Sequence, residues 1–212
     1  MQCDVTSKES LGNAAATIKS ETSFVNAVVA NSGVDGPGLK DLPENATLEQ
    51  FQEYLWTVPM EAINNTFAIN TTAVLYTCLA FLPLLHAGNE HKDSPGFKHN
   101  IKSQFISTSS IASFNRKATA GFAYGASKAA QNHLMKMLAH YLAPYMIRTN
   151  VLAPGLFASE MTAVRSINGV QIYTDTGQPL YGDKDPTVEG FMSGSVVPLK
   201  RYGSEEVCLS IC

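Results

Sequence analysis

Tyr124-Gly125-Ala126-Ser127-Lys128 sets a phenol and an ammonium four residues apart. At helical spacing they lie on one face and can address one reacting group. An ordinary phenol ionises near pH 10 and exchanges protons poorly at neutral pH. A cation that favours the phenolate would make Tyr124 a usable general acid or base, and Lys128 can be that cation. The same spacing also occurs in ordinary core helices, with the tyrosine as packing and the lysine stem reaching for water. The surrounding segments decide between these readings.

The helix that would carry the pair runs from Gly121 to Leu142, with Ala129, Ala130, Leu134, Met137 and Leu138 as its apolar stripe. Before it, Gln104-Phe105-Ile106-Ser107-Thr108 is a β-type run that ends in the hydroxyls of Ser109, Ser110 and Ser113. After it, Ile147-Arg148-Thr149-Asn150-Val151-Leu152-Ala153 is a second strand, stopped at Pro154-Gly155. Further upstream, Phe24 to Ala30 reads as a buried parallel strand whose carboxyl end opens into Asn31-Ser32-Gly33. Thr47 to Trp56 and Met60 to Leu85 read as helices, and Ala87 to Lys102 as a solvated loop. This alternation predicts βαβ units around a parallel sheet, whose ligands bind at the carboxyl ends of the strands.

Strand, hydroxyl cluster, Tyr-x-x-x-Lys helix, strand and Pro-Gly, in that order, resemble the short-chain dehydrogenase/reductase family across nearly the whole chain. The resemblance implies a Rossmann-like, doubly wound α/β domain that interconverts a carbonyl and a secondary alcohol with NADP or NAD, NADP being favoured. Ser110 matches the second serine of the family's Ser-Ser-x-Ala-Gly phrase and would hold the carbonyl. Ser109 competes for that role, and Ser113 replaces the glycine. Asn70, within Phe67-Ala68-Ile69-Asn70-Thr71-Thr72-Ala73, would bend its helix so that its carbonyl holds a water linking Lys128 to solvent. As a bare residue, Asn70 would more often be a buried amide bonded to backbone.

For the cofactor, the resemblance implies that Asp4 and Val5 meet adenine, that Asn31 and Gly33 lie along the ribose, and that Tyr124 and Lys128 contact it as well. Pro154 and Gly155 form the turn after the last strand. Phe157 would offer a backbone N–H to the nicotinamide amide, and Ser159 a hydroxyl to the amide or phosphate. The phrase running on to Met161-Thr162 looks most like 3-oxoacyl reductases and their fungal relatives. Residues 162–197 suit a substrate lid, and the family's helix pairing implies homodimers or homotetramers. Without the resemblance, Asp4 could simply cap the helix that begins near Ser7.

At 212 residues, 45% hydrophobic and 16% charged, the chain suits one globular domain with a substantial core. A net charge of -3 with interspersed signs leaves no basic stripe for nucleic acid. The apolar stretch Ala73 to Leu85 is too short to cross a bilayer. Cys3, Cys78, Cys208 and Cys212 form no C-x-x-C pair, and no histidine falls at a metal-ligand spacing. Reduced thiols, and a start without the regions of a secretory signal, fit a cytoplasmic protein. Gly33, Gly36 and Gly38 are in the wrong order for a phosphate cradle and read as a flexible surface loop.

Two features complicate the enzymatic reading. The family's first strand, its G-x-x-x-G-x-G turn and its second strand are expected before Asp4, where Gln2 to Thr6 look like the end of a later strand, and a final strand is expected after Val207. Without those parts the sheet would have a gap or a bare apolar edge, and the residues that choose between NAD and NADP would be missing. A catalytically silent fragment that at most associates with full-length subunits is the alternative. Separately, Gly125-Ala126-Ser127-Lys128-Ala129 approaches the G-x-S-x-G elbow of serine hydrolases, although Gly121 to Tyr124 is too short for the strand an elbow needs.

Overall fold

A three-stranded parallel sheet, in the order β1-β2-β3, is built from β1 (Ala27–Ala30), β2 (Gln104–Thr108) and β3 (Arg148–Leu152). The computed structural model describes residues 1–93, 98, 100–118 and 120–157, and the backbone of 166, 167, 170 and 171. Residues Met1–Ala153 form one unit and Pro154–Cys212 another, in which Ser166–Ile167 pairs antiparallel with Val170–Gln171. The 162–197 segment expected to be a lid otherwise lies outside the described residues.

The register aligns Val28 with Phe105 and Val29 with Ile106, then Phe105 with Thr149 and Ser107 with Val151. Because alternate residues face opposite sides, Val28, Ala30, Phe105 and Val151 point together into the core. There they meet Val74, Cys78 and Leu85 from one helix and Met135, Leu138 and Leu142 from another. The expected buried strand Phe24 to Ala30 is shorter and half-covered: Val29, 47% exposed, faces away from the core that Val28 and Ala30 join, and among the described residues β1 pairs with β2 alone.

The first helix, α1 (Lys8–Thr22), starts at Ser7, whose Oγ accepts from the backbone N–H of Ser10. Asp4 is therefore not its cap, and residues 2–6 form no strand. Instead Asp4 Oδ1 accepts from the backbone N–H (2.9 Å) and hydroxyl (2.7 Å) of Thr6, a turn that holds the carboxyl below its ordinary range. With no neighbouring strand among the described residues, the local turn satisfies the backbone there. Helix α2 (Leu48–Trp56) begins with a reciprocal capping box between Thr47 and Gln50.

Helix α3 (Met60–Phe67) passes through a π turn at Ala68–Thr72 into α4 (Ala73–Glu90). This 31-residue stretch is apolar and long enough to cross a bilayer by length and composition, contrary to the shorter span read from the sequence. Pro83 does not end it. Its residues Val74, Cys78 and Leu85 are buried in the core, which makes it the core helix of a sheet protein. It also continues past Leu85 into the expected loop, because Asn89 anchors its end: Oδ1 accepts from the Ser103 N–H at 2.7 Å, and Nδ2 donates to the Met146 carbonyl at 3.0 Å.

Candidate active site

Helix α5 (Phe122–Leu142) carries Tyr124 and Lys128, both buried, on the face turned toward the carboxyl end of β2. Lys128 is 3% exposed, and its Nζ donates to the Thr108 carbonyl at 2.7 Å. The same Nζ lies 5.9 Å from the centre of the Tyr124 ring, within reach of its π face. Burial pulls the ammonium down to about 8, so it is still mostly protonated at neutral pH while poised to lose its proton.

Asn70 sits inside the π turn and is fully buried. Its Oδ1 accepts from the Val34 N–H at 2.9 Å, and its Nδ2 donates to the Val34 carbonyl at 2.9 Å and to Ser127 Oγ at 3.0 Å. One amide thus ties together the loop after β1, the π turn and α5. Such turns kink helices and recur at functional sites. The π turn falls on the segment where a bend of the helix is expected at Asn70.

Gly33 completes the corner. A Cβ built on it would lie 3.2 Å from Asn70 Oδ1 and 3.3 Å from Lys128 Nζ, so glycine lets the loop lie close against both groups. The loop that follows is packed rather than a flexible surface loop. Gly36 has φ +69° and a Cβ there would clash with the Thr66 hydroxyl, while Gly121, at φ +90°, has no room for a Cβ against the Pro37 carbonyl. That second contact seats the start of α5.

The two candidate serines separate clearly. Ser109 is buried, and its hydroxyl donates to the Lys128 carbonyl at 3.2 Å, which makes it a brace between β2 and α5. Ser110 is half-buried; its Oγ accepts from the Ala112 N–H at 3.1 Å, leaving its own proton to donate elsewhere. Ser127 is 0% exposed within a helix, donates to the Tyr124 carbonyl and receives Asn70, so it is no hydrolase nucleophile.

Asn31 is exposed. Asp4 and Val5 sit in the N-terminal turn, with Val5 lining a small cavity against Ala68, Thr72 and Tyr76. Pro154, Gly155 and Phe157 belong to the second unit, and Ser159 lies outside the described residues. Conversely, the sequence reading overlooked Gln131, whose Nε2 donates to the same Thr108 carbonyl at 3.3 Å, and Asn132. Their signal was position: they stand three and four residues after Lys128, on its helix face. Among the described residues no three histidines, cysteines or carboxylates converge on a metal site.

The short chain dehydrogenase family model matches residues 1–168. The chain belongs to this family. It is 36% identical over 215 aligned residues to the short-chain dehydrogenase/reductase SAT3 of Stachybotrys chartarum, an alignment covering 97% of this chain and 73% of that protein. It is 42% identical over 165 residues to PhomF of Diaporthe leptostromiformis, covering 77% of this chain but 54% of the relative. Among solved structures, the RhlG/NADP active-site complex of Pseudomonas aeruginosa superposes with TM-score 0.69 at 24% identity, over all of this chain and 67% of RhlG. As a short-chain dehydrogenase, the chain thus spans about half to three quarters of the length of these relatives.

Proposed function

We propose that this chain carries the proton-transfer corner of an NAD(P)-dependent oxidoreductase that interconverts a small carbonyl compound and its secondary alcohol. One observation carries the reading: a buried lysine ammonium, fixed on the Thr108 carbonyl, faces the Tyr124 ring, with Gly33 packed directly beside it. An ammonium with one proton on Thr108 has others to share with hydroxyls, such as those of the ribose of a nicotinamide dinucleotide.

Tyr124 gives a proton to the carbonyl oxygen, or takes it from the alcohol, and Lys128 favours the phenolate that results. Ser110 donates its free proton to the same oxygen and holds it in place. Asn70 fixes the π turn, whose carbonyl supports a water through which Lys128 regains its proton. A nicotinamide dinucleotide held by these residues would supply, or take up, the hydride of the reaction. Gly33 and Asn31 would run along its ribose, Asp4 and Val5 toward adenine, and Pro154, Gly155, Phe157 and Ser159 toward the carboxamide. NADP is favoured over NAD on the family resemblance, while structural neighbours bind either, NADP in the RhlG complex and NAD in a xylitol dehydrogenase. A cytoplasmic dimer or tetramer completes the reading.

Purified chain titrated with NADPH should enhance nicotinamide fluorescence saturably. With ethyl 3-oxobutanoate as carbonyl probe, Tyr124→Phe should cut turnover by about a thousandfold without lowering thermal stability. The bare edge at Val29 favours a second reading, a silent chain that pairs with complete subunits. Absence of saturable NADPH binding would select it; binding together with undiminished turnover in Tyr124→Phe would remove Tyr124 from the chemistry.

A further inference from the structure

We infer that Asn132 and Ser113 form a latch that positions the Ser110 turn on the catalytic helix, which makes Asn132 a positioning residue for this enzyme; the catalytic meaning of the latch rests on the role proposed above for Ser110. Ser110 caps a single 3-10 turn, Ile111–Ser113, that would be free to swing if only its own backbone held it. Two side-chain bonds in series close it onto α5. Asn132 Nδ2 donates to Ser113 Oγ at 2.7 Å, and the Ser113 hydroxyl donates to the Ser110 carbonyl at 2.6 Å. The chain of donors therefore ends on the backbone of Ser110 itself.

Geometry makes the latch one-sided. On the near side Ser109 already binds the Lys128 carbonyl, and Gly125 admits the Ala112 carbonyl so closely that a Cβ there would sit 3.4 Å from it. Asn132, one helical turn beyond Lys128, holds the far side. Asn132 and Ser113 thus fix the turn at the end that Ser109 does not reach. The serine at 113, where the family phrase has glycine, supplies the hydroxyl that both accepts from Asn132 and donates to Ser110. A glycine there would leave the Asn132 donor, already on a side chain whose Oδ1 is buried without a partner, wholly unsatisfied.

The test combines hydrogen exchange with kinetics. In Asn132→Ala, amides of the segment Ile111–Phe114 should exchange about tenfold faster, as expected for losing a partly buried hydrogen bond, while α5 and the sheet exchange as before. Ser113→Ala should do the same, and the double variant should add nothing to either single one, because both break one series of bonds. With ethyl 3-oxobutanoate and NADPH, each should lower kcat with the KM for NADPH unchanged. Asn132→Asp retains the shape but loses the donor to Ser113, and it should reproduce the alanine phenotype. Unchanged local exchange, or fully additive effects in the double variant, would overturn the latch. A latch seen in exchange while Ser110→Ala retains full turnover would instead overturn the catalytic role of Ser110, so the two failures are told apart.

Discussion

Two ends of the same sheet are built on different principles. At the carboxyl ends of β1 and β2, beside α5, Asn70, Lys128, Ser109 and Gln131 are buried and bonded to backbone from distant parts of the chain, and buried Ser127 accepts from the Asn70 amide. At the outer edge of β1, Val29 is 47% exposed, although Ile106, its register partner on the next strand, is 7% exposed. Asn31, three residues from Val34, faces solvent, whereas Asn70 grips Val34 twice. The corner is preorganised by a network of polar bonds to backbone. The edge rests on apolar contact from one side alone, so the two should respond very differently to substitution.

Lys128 gives the largest contrast. Its folded value of about 8 lies below the ordinary 10.5. Below pH 8 both folded and unfolded chains hold the proton, and the cost of burying the charge is felt in full. Between about 8 and 10.5 the unfolded chain keeps a proton that the folded chain has released, so stability rises with pH across that window. The rise attributable to this group is on the order of 3 kcal/mol. Urea unfolding at pH 7.5, 9 and 10.5 should show it in the native chain and not in Lys128→Met. Parallel slopes in the two proteins would place the titration elsewhere and blur the distinction between corner and edge.

Asn70→Ala and Asn31→Ala sharpen the contrast at one residue type. Losing Asn70 strands the Val34 N–H and carbonyl, and it should cost about 2 kcal/mol. Losing the exposed Asn31 should stay within about 0.5 kcal/mol. Comparable losses, read from urea midpoints at constant slope, would mean that Asn31 packs as tightly as Asn70 does.

How much of this was legible in the sequence follows the same division. The parallel alternation and the strands around 104–108 and 148–152 showed in short β-rich runs with clear stops, and the Tyr-x-x-x-Lys helix showed in its periodicity. Asn70 and Gly33 were marked by local phrases that resemble the family's. What could not be read was whatever depends on contact across the chain. The Gly33 to Gly38 loop read as flexible because local composition does not reveal that Gly36 lies on Thr66 or Pro37 against Gly121. Helix α4 read as ending near Leu85 because nothing local reveals that Asn89 is bonded to Ser103 and Met146. The family phrase favours Ser110 with Ser109 as its competitor, and no local pattern reveals that Ser109 is bonded to the Lys128 carbonyl. Val29 read as buried because a valine-rich run does not state how many neighbours its strand will have.

The smallest effect on stability concerns that edge. A β strand bonded on one side presents a row of unpaired backbone groups, and an apolar side chain beside it favours pairing with another chain. Val29 faces away from Val28 and Ala30, which carry the core contacts, so little packing is lost by changing it. Val29→Thr keeps the branched shape and β preference while adding a hydroxyl that water can satisfy, and it should shift stability by less than about 0.5 kcal/mol. Its visible consequence should be in association: light scattering of the variant should rise less steeply with concentration than that of the native chain. A stability loss of the size expected for Asn70→Ala, with unchanged scattering, would mean that Val29 is a packing residue and that the outer edge of β1 is held as firmly as the corner.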